Sequence, residues 1–521
     1  MKQNSSSCPR GNNEKKGEII MANAFMSALK NDSNYKFTEN GAVAKKSTMD
    51  KVYDMFAFGG AYRERTDDDV VLLFKNAYEQ NPLLAMKCLF YLRDVRGGQG
   101  ERRFFRLCMK WLARTHTASV RRNLELIPEF GRWDDLYEFI GTSLEKDAFR
   151  LMKNQLALDI QCKTPSLLAK WLKSENTSSA ESRSLANKTR EYFNMTHKQY
   201  RKTLSILRER IKVLERLMSA NRWDEIEFDK IPSKAGLVYR NAFARRDMIK
   251  AKYEKFAKST ETKVNAKTLY PYEVVGKAAT LMRGRGYWYS SPQVDWDNIE
   301  RLMINKYWDN LADYFKGASL DAMAIVDTSG SMYGQPLDVA ISLGIYCAEK
   351  AKGPFHGNYI SFSRNARLIE IEGVDFCDKV NRIYQKNLCE NTNLESAFNL
   401  VLNTAIKHHL KQSDLPKNLI IISDMEIDSA QGYGYWGRNN DDVKTTMDFI
   451  RRSWERAGYE MPNLIYWNVN ARHNTILDDG PNITYVSGMS PSIFEQIMTN
   501  KTGIDLMLDK LNSERYAKVT V

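Results

Sequence analysis

No stretch of this 521-residue chain approaches the ~20 consecutive apolar positions of a membrane helix. The opening segment, residues 1–17, is polar and charged, without the apolar core of a secretory signal. The expected location is therefore cytoplasmic. Cysteine is scarce and scattered: Cys8, Cys88, Cys108, Cys162, Cys347, Cys377 and Cys389 are odd in number and form no C-x-x-C pair. That argues against a disulfide framework or a thiolate zinc site and leaves them as small buried apolar residues. The chain lacks a G-x-x-x-x-G-K-[ST] phosphate loop, and Gly284-Arg285-Gly286 lacks the strand and helix of a dinucleotide fingerprint. The six histidines show no zinc-hydrolase spacing. An enzyme is not expected. A metal nuclease is the catalytic alternative, because Asp424-Met425-Glu426-Ile427-Asp428 clusters three carboxylates.

What is present is a lopsided charge. Residues 1–320 hold 57 Lys and Arg against 39 Asp and Glu, a net of +18, whereas residues 321–521 hold 20 against 25, a net of −5. A basic half joined to an acidic half suggests that the first meets a polyanion. Residues 1–20 read as a disordered tail, with Met21 a second candidate start. From Lys51 to Lys258 apolar residues recur at three-to-four residue spacing, as in Val70, Phe74 and Ala77. Gly97, Gly98 and Gly100, then Pro128 and Gly131, punctuate helices that should stack as antiparallel pairs. Residues 174–187 and 258–268 read as polar loops, and Tyr200 to Met218 as one long basic helix.

Beyond Leu320 the period changes. Met323–Val326, Tyr359–Phe362, Leu419–Ile422 and Leu464–Trp467 are short, wholly apolar strand candidates alternating with helical stretches at 337–350, 394–408 and 442–457. That pattern predicts a doubly wound parallel sheet. The first strand ends in Asp327-Thr328-Ser329-Gly330-Ser331, at the strand end where such sheets bind ligands. A carboxylate and two hydroxyls at alternate positions of a tight loop, with Gly330 easing the turn, are hard oxygen donors suited to Mg²⁺, Ca²⁺ or Mn²⁺. Asp424, at the end of a parallel neighbour, and Thr392, before the 394–408 helix, are the further donors expected.

This D-x-S-x-S loop, followed by a threonine and a strand-end aspartate, resembles the metal-ion-dependent adhesion site of von Willebrand factor A domains. The resemblance implies that Asp327, Ser329, Ser331, Thr392 and Asp424 bind the ion, Mg²⁺ above all, and that a partner's carboxylate completes its coordination. In the helical half, Phe90-Tyr91-Leu92-Arg93-Asp94-Val95-Arg96-Gly97-Gly98-Gln99-Gly100-Glu101-Arg102 and Ile127-Pro128-Glu129-Phe130-Gly131-Arg132-Trp133-Asp134-Asp135-Leu136 look like motifs of TROVE modules, the RNA-binding helical ring of the Ro autoantigen. With the segments Ser166–Leu172 and Ile231–Ala235, they resemble the family filed as domain of unknown function 2828. The architecture implied is a tail (1–20), an all-α TROVE-like, HEAT-like array (21–318) and an α/β von Willebrand A domain (319–521).

Arg93, Arg96, Arg102 and Arg103 surround the glycine-rich turn, whose N–H groups would suit a phosphate. Lys170, Arg201 and Lys202 extend that basic surface, and Tyr287, Trp288 and Tyr289 beside Arg283 and Arg285 offer base stacking. Ion pairs of Arg93 with Asp94, or of Arg132 with Asp134 or Asp135, are the competing structural reading. The expected function is a ribonucleoprotein component that binds RNA through the array and a protein carboxylate through the metal site. The alternative is a metal-dependent interaction scaffold without nucleic acid.

Overall fold

The structure, a computed structural model, describes residues 33–283, 298–318, 320–350, 352–362, 364–386, 391–428, 445–478, 480–499 and 501–521. The tail 1–20 and the cluster of Arg285, Tyr287, Trp288 and Tyr289 lie outside these residues. Among the described residues no helix is long and apolar enough to cross a membrane.

Helices of the amino-terminal half begin where short polar side chains can satisfy free N–H groups. Asp50, Thr66 and Asn81 accept hydrogen bonds from the N–H groups of Tyr53, Asp69 and Leu84, and Pro82 occupies a first-turn position. The helices Asp67–Gln80, Pro82–Arg93 and Arg102–Thr115 bury Phe74, Phe90 and Phe105 in a common core. Phe90 meets Phe105 and Phe130 edge-on, at 5.5 and 5.3 Å between ring centres. Two expectations need correction. Ser179 caps a helix, Ala180–Tyr192, inside the segment read as a loop; its polar surface hid a single buried stripe through Ala186 and Thr189. The long basic helix is two, His197–Arg210 and Leu214–Ser219, separated where Lys212 takes a φ of +48°. The N–H groups of Lys212 and Val213 turn back to the carbonyls of Glu209 and Arg208, closing the first helix.

Among the described residues the carboxyl-terminal half forms a six-stranded sheet. Its strands are β3 (Ala322–Asp327), β4 (Asn358–Phe362), β5 (Arg367–Glu370), β6 (Asn418–Ser423), β7 (Asn463–Asn468) and β8 (Ile483–Ser487). The order is β5-β4-β3-β6-β7-β8, parallel except for the β5 edge. The helices Gln335–Lys350, Leu394–Lys407 and Thr446–Arg456 connect the strands. The chain runs from β3 outward to β4, then returns to place β6 on β3's other side. The carboxyl ends of β3 and β6 therefore flank the switch point, where a crevice opens.

The halves interlock. Residues 33–62, which the sequence assigns to the array, pack on the α/β sheet. Strands β1 (Tyr35–Phe37) and β2 (Val43–Lys45) form a hairpin that lies across the sheet's carboxyl edge, where Lys45 and Ile476 exchange backbone hydrogen bonds of 2.8 and 2.9 Å. The helix Lys51–Phe58 covers β8: the Tyr53 hydroxyl accepts from the Tyr485 N–H at 2.8 Å, and the Gly60 N–H donates to Ser487 Oγ at 2.9 Å. Helices Pro271–Arg283 and Ile299–Asp309 pack on the far side, where Arg301 pairs with Asp375 at 2.6 Å.

Candidate metal centre and basic surface

β3 delivers Asp327 to the crevice because the three residues before it, Ala324, Ile325 and Val326, are buried and fix the strand on both faces. The loop beyond is tied down by Thr328, whose N–H donates to the Phe362 carbonyl at 2.9 Å. The Ser329 N–H turns back to Asp327 Oδ1 at 2.9 Å, and the Ser329 and Ser331 hydroxyls stand 3.1 Å apart. A short 3₁₀ turn, Gly330–Met332, anchored by buried Met332, carries the bend. The left-handed residue is Gly334 at φ +92°, so Gly330 does not have the turn-making role expected of it.

Asp424 sits at the end of β6, fully buried like Asp327. Its Oδ1 accepts the Glu426 N–H at 3.2 Å, Ser331 bonds the same carboxylate, and its Oδ2 faces Arg472 Nη2 at 2.9 Å. Ser423, which the sequence reading passed over, donates to Asp327 Oδ2 at 2.5 Å. Burial raises the pKa of both aspartates, and the charge of Asp424 raises that of Asp327 further. Asp327, Ser329, Ser331 and Asp424 are thus brought together. Thr392 lies one loop away: its carbonyl accepts the Asp428 N–H at 2.9 Å, and its hydroxyl accepts from Asn40 Nδ2 at 3.3 Å.

Among the described residues no group of three or more His, Cys, Asp or Glu side chains is arranged to hold a metal. The candidate set is instead two carboxylates with hydroxyls. The three clustered carboxylates of the nuclease alternative do not converge. Glu426 is bonded by the Glu39 N–H and the Thr475 hydroxyl, both at 2.8 Å, and the Asp428 N–H is drawn to the Thr392 carbonyl. Asp327 has no cationic partner among the described residues. A fully buried carboxylate without one is the donor a hard divalent cation satisfies, and the residues present fit such an ion.

Arg472 and Glu39 were also missed. Arg472 lies just beyond β7, a third strand end on the same edge, so its position was legible in principle. Glu39 comes from the β1–β2 turn, four hundred residues away in sequence, and nothing local signals it.

The basic residues separate into groups. Arg93 is 1 % exposed and pairs with Asp135 at 2.7 Å, so it has no surface to offer RNA; the ion pair expected with Asp94 is not formed, since Asp94 is taken by Arg515. The glycine-rich turn is not an anion cradle either. Five of its N–H groups are taken up internally: Arg96 and Gly97 donate to the Asp94 carboxylate, Gly100 to the Asp94 carbonyl, and Gln99 and Glu101 to the Tyr91 and Leu92 carbonyls. Asp94 itself is held by Arg515 and the Tyr516 hydroxyl. Arg96 reaches the Glu129 carbonyl at 2.7 Å, and Arg103 pairs with Asp67.

Arg102 and Lys202 are exposed and have no polar partner among the described residues. Arg132 stacks on Trp171 with 4.4 Å between guanidinium carbon and ring centre, and Lys170 lies 5.6 Å from the same ring. Burial, then the charges of Arg93 and Arg102, lower the pKa of Arg132. The helix His197–Arg210 packs against Leu168–Trp171 through Arg208, which donates to the Ala169 and Leu172 carbonyls at 2.8 Å. Arg201 is exposed and only loosely paired with Glu175, at 4.0 Å.

An uncharacterized protein, L728, of Acanthamoeba polyphaga mimivirus is 29 % identical over 511 residues, covering 89 % of this chain and 85 % of its own. The crystal structure of the Deinococcus radiodurans RO (RSR) protein aligns with a TM-score of 0.46 and 14 % identity, over 90 % of this chain and 100 % of that one. Residues 321–518 match the family described as "Domain of unknown function (DUF7788)". Residues 38–166 and 159–319, more than half of the chain, match "Domain of unknown function (DUF2828)", and to that family the chain belongs.

Proposed function

We propose that this protein is a Ro-like RNA-binding protein whose α/β domain docks a second partner through a divalent cation. The array contributes the surface of Arg102, Arg132, Lys170, Arg201 and Lys202. The observation that supports RNA over other polyanions is the Arg132–Trp171 stack. A half-buried aromatic with a guanidinium on it, near Arg102, which is exposed and has no polar partner among the described residues, offers both a stacking plane and phosphate contacts.

At the crevice Asp327, Ser329, Ser331 and Asp424 hold the ion, with Thr392 on the adjacent loop. Mg²⁺ is the first choice, with Ca²⁺ and Mn²⁺ as alternatives. Bound there, the ion supplies a Lewis-acidic position for a carboxylate of a partner protein. The protein's own groups orient it: Ser423 and the Ser329 N–H fix the Asp327 carboxylate, and the Glu426 N–H fixes Asp424. A site of two carboxylates and hydroxyls, with Glu426 committed elsewhere, suits docking rather than hydrolysis.

The test is filter binding of single-stranded RNA at two salt concentrations. Wild type should bind with a steep salt dependence. Arg102→Glu combined with Arg132→Glu should weaken binding at least about tenfold and flatten the log–log salt slope by about 1–2. Unchanged affinity, or binding indifferent to salt, would sink the RNA assignment. Protein that purifies without RNA, yet captures a partner only with Mg²⁺ present, would support the interaction scaffold instead.

A further inference from the structure

We propose that Arg472 is a resident counter-ion of the metal centre that competes with a divalent cation for Asp424, and that Glu39 on the β1–β2 turn is the carboxylate to which it retreats. The inference rests on the metal reading above. One guanidinium spans two carboxylates: Nη2 lies 2.9 Å from Asp424 Oδ2, and Nη1 lies 2.7 Å from Glu39 Oε2. Among the described residues Asp424 has no other cationic partner. Glu39 also meets a ring nitrogen, since His473 Nε2 is 3.1 Å from its other oxygen. Arg472 Nε is buried without an acceptor, so the guanidinium is not saturated by hydrogen bonds. Its position is governed by the balance of the two carboxylates.

Glu39 is not there by chance of an exposed side chain. Its turn is fastened to the loop that follows Asp424: the Glu39 N–H donates to Glu426 Oε2 at 2.8 Å, Thr38 Oγ1 to the Ile427 carbonyl at 2.7 Å, and Asn40 Nδ2 to the Glu426 carbonyl at 2.6 Å. On its other side Lys36 Nζ donates to Thr475 Oγ1 at 2.8 Å, tying the hairpin to the loop that carries Arg472. A rigid turn thus holds one carboxylate within reach of the arginine, on the side away from Asp424.

The signs follow from Coulomb's law. A guanidinium on Asp424 lowers the affinity of the crevice for a cation, and a carboxylate that draws the guanidinium off restores it. Removing the arginine charge should tighten metal binding, whereas removing the Glu39 charge should weaken it. Because Glu39 acts through Arg472, the weakening should vanish once the arginine is gone.

The experiment is Mn²⁺ binding to the full chain, read as free-ion paramagnetic resonance, with circular dichroism confirming that each variant is folded. Arg472→Gln should bind at least about tenfold tighter than wild type, and Glu39→Gln about threefold or more weaker. Arg472→Lys, which keeps the charge, should stay close to wild type, and the double variant should match Arg472→Gln alone. Unchanged or weaker binding by Arg472→Gln, or tighter binding by Glu39→Gln, overturns the proposal. Asp327→Asn, measured alongside, separates the two levels. If it abolishes binding while Arg472→Gln changes nothing, the metal site stands and the counter-ion fails. If it leaves Mn²⁺ affinity unchanged, or if no variant binds, the metal reading itself fails and the counter-ion with it.

Discussion

Asp327→Asn is expected to abolish divalent-cation binding and, in the same stroke, to stabilise the cation-free protein. The side chain is fully buried at the end of β3 and receives the Ser423 hydroxyl, the Ser329 N–H and the Ser329 hydroxyl. Burial, and behind it the Asp424 charge, raises its pKa above the usual carboxylate value. The sign of the linkage is then fixed. A carboxyl whose folded pKa exceeds its unfolded value contributes stability fully below the unfolded pKa and loses it as pH rises through the folded one. At neutral pH and without a cation, Asp327 therefore costs stability. An amide of the same shape removes the charge and can still accept from the Ser329 N–H and meet the Ser423 hydroxyl. In chelator, the melting temperature of Asp327→Asn should exceed that of wild type by several degrees, and the gap should widen as pH rises from about 5 to 7. With Mg²⁺ added, wild type should rise and the variant should not, and Mn²⁺ affinity should fall at least about a hundredfold. A variant that melts below wild type in chelator, or that is still stabilised by Mg²⁺, would refute this account of the crevice.

The four buried strands were readable because a strand covered on both faces is uniformly apolar, and four such runs alternating with helical periods leave one sheet type. The donors Asp327, Ser329, Ser331 and Asp424 were readable for the same reason, since each follows directly on such a run. β5 was not, because as an exposed edge strand its Arg367-Leu368-Ile369-Glu370 buries only Ile369. The β1–β2 hairpin was not, because its strands are three residues long and its partners are the loops near Glu426 and Thr475, visible only once the chain is folded. The basic surface was half legible. Exposed Arg102 and buried Arg93 look alike in a list of arginines, and what separates them is the acid each meets: Asp135 lies beneath Arg93, whereas Arg102 meets none among the described residues. The glycine-rich turn was misread for a related reason. Glycines with flanking arginines describe a phosphate cradle only if the N–H groups are free, and here a carboxylate of the same turn, Asp94, takes up those of Arg96 and Gly97.

That turn carries the second large effect. Gly98→Ala is expected to destabilise the protein by about 3 kcal/mol or more, although it adds one methyl group and leaves every charge in place. A Cβ at Gly98 would fall on the Tyr91 carbonyl oxygen, 3.0 Å from its carbon and 2.9 Å from Asp94 Cβ. Neither neighbour can yield. The Tyr91 carbonyl already accepts the Gln99 N–H at 3.2 Å, and Asp94 is locked by Arg515, Tyr516 and the N–H of Arg96. The same few residues join the array to the α/β domain: Ser492 Oγ donates to the Gly98 carbonyl, Gln99 Nε2 donates to the Tyr91 hydroxyl at 2.6 Å, and that hydroxyl accepts from Gln496 Nε2 at 3.1 Å. Displacing Gly98 therefore loosens both halves. Urea midpoints reported by probes in the array and in the sheet should fall together. Gly141→Ala is the control. Its φ of +79° disfavours a side chain, but nothing lies within 4 Å of the added carbon, so a loss of only about 1 kcal/mol is expected. If Gly98→Ala retains the wild-type midpoint, the turn is not the joint between the halves.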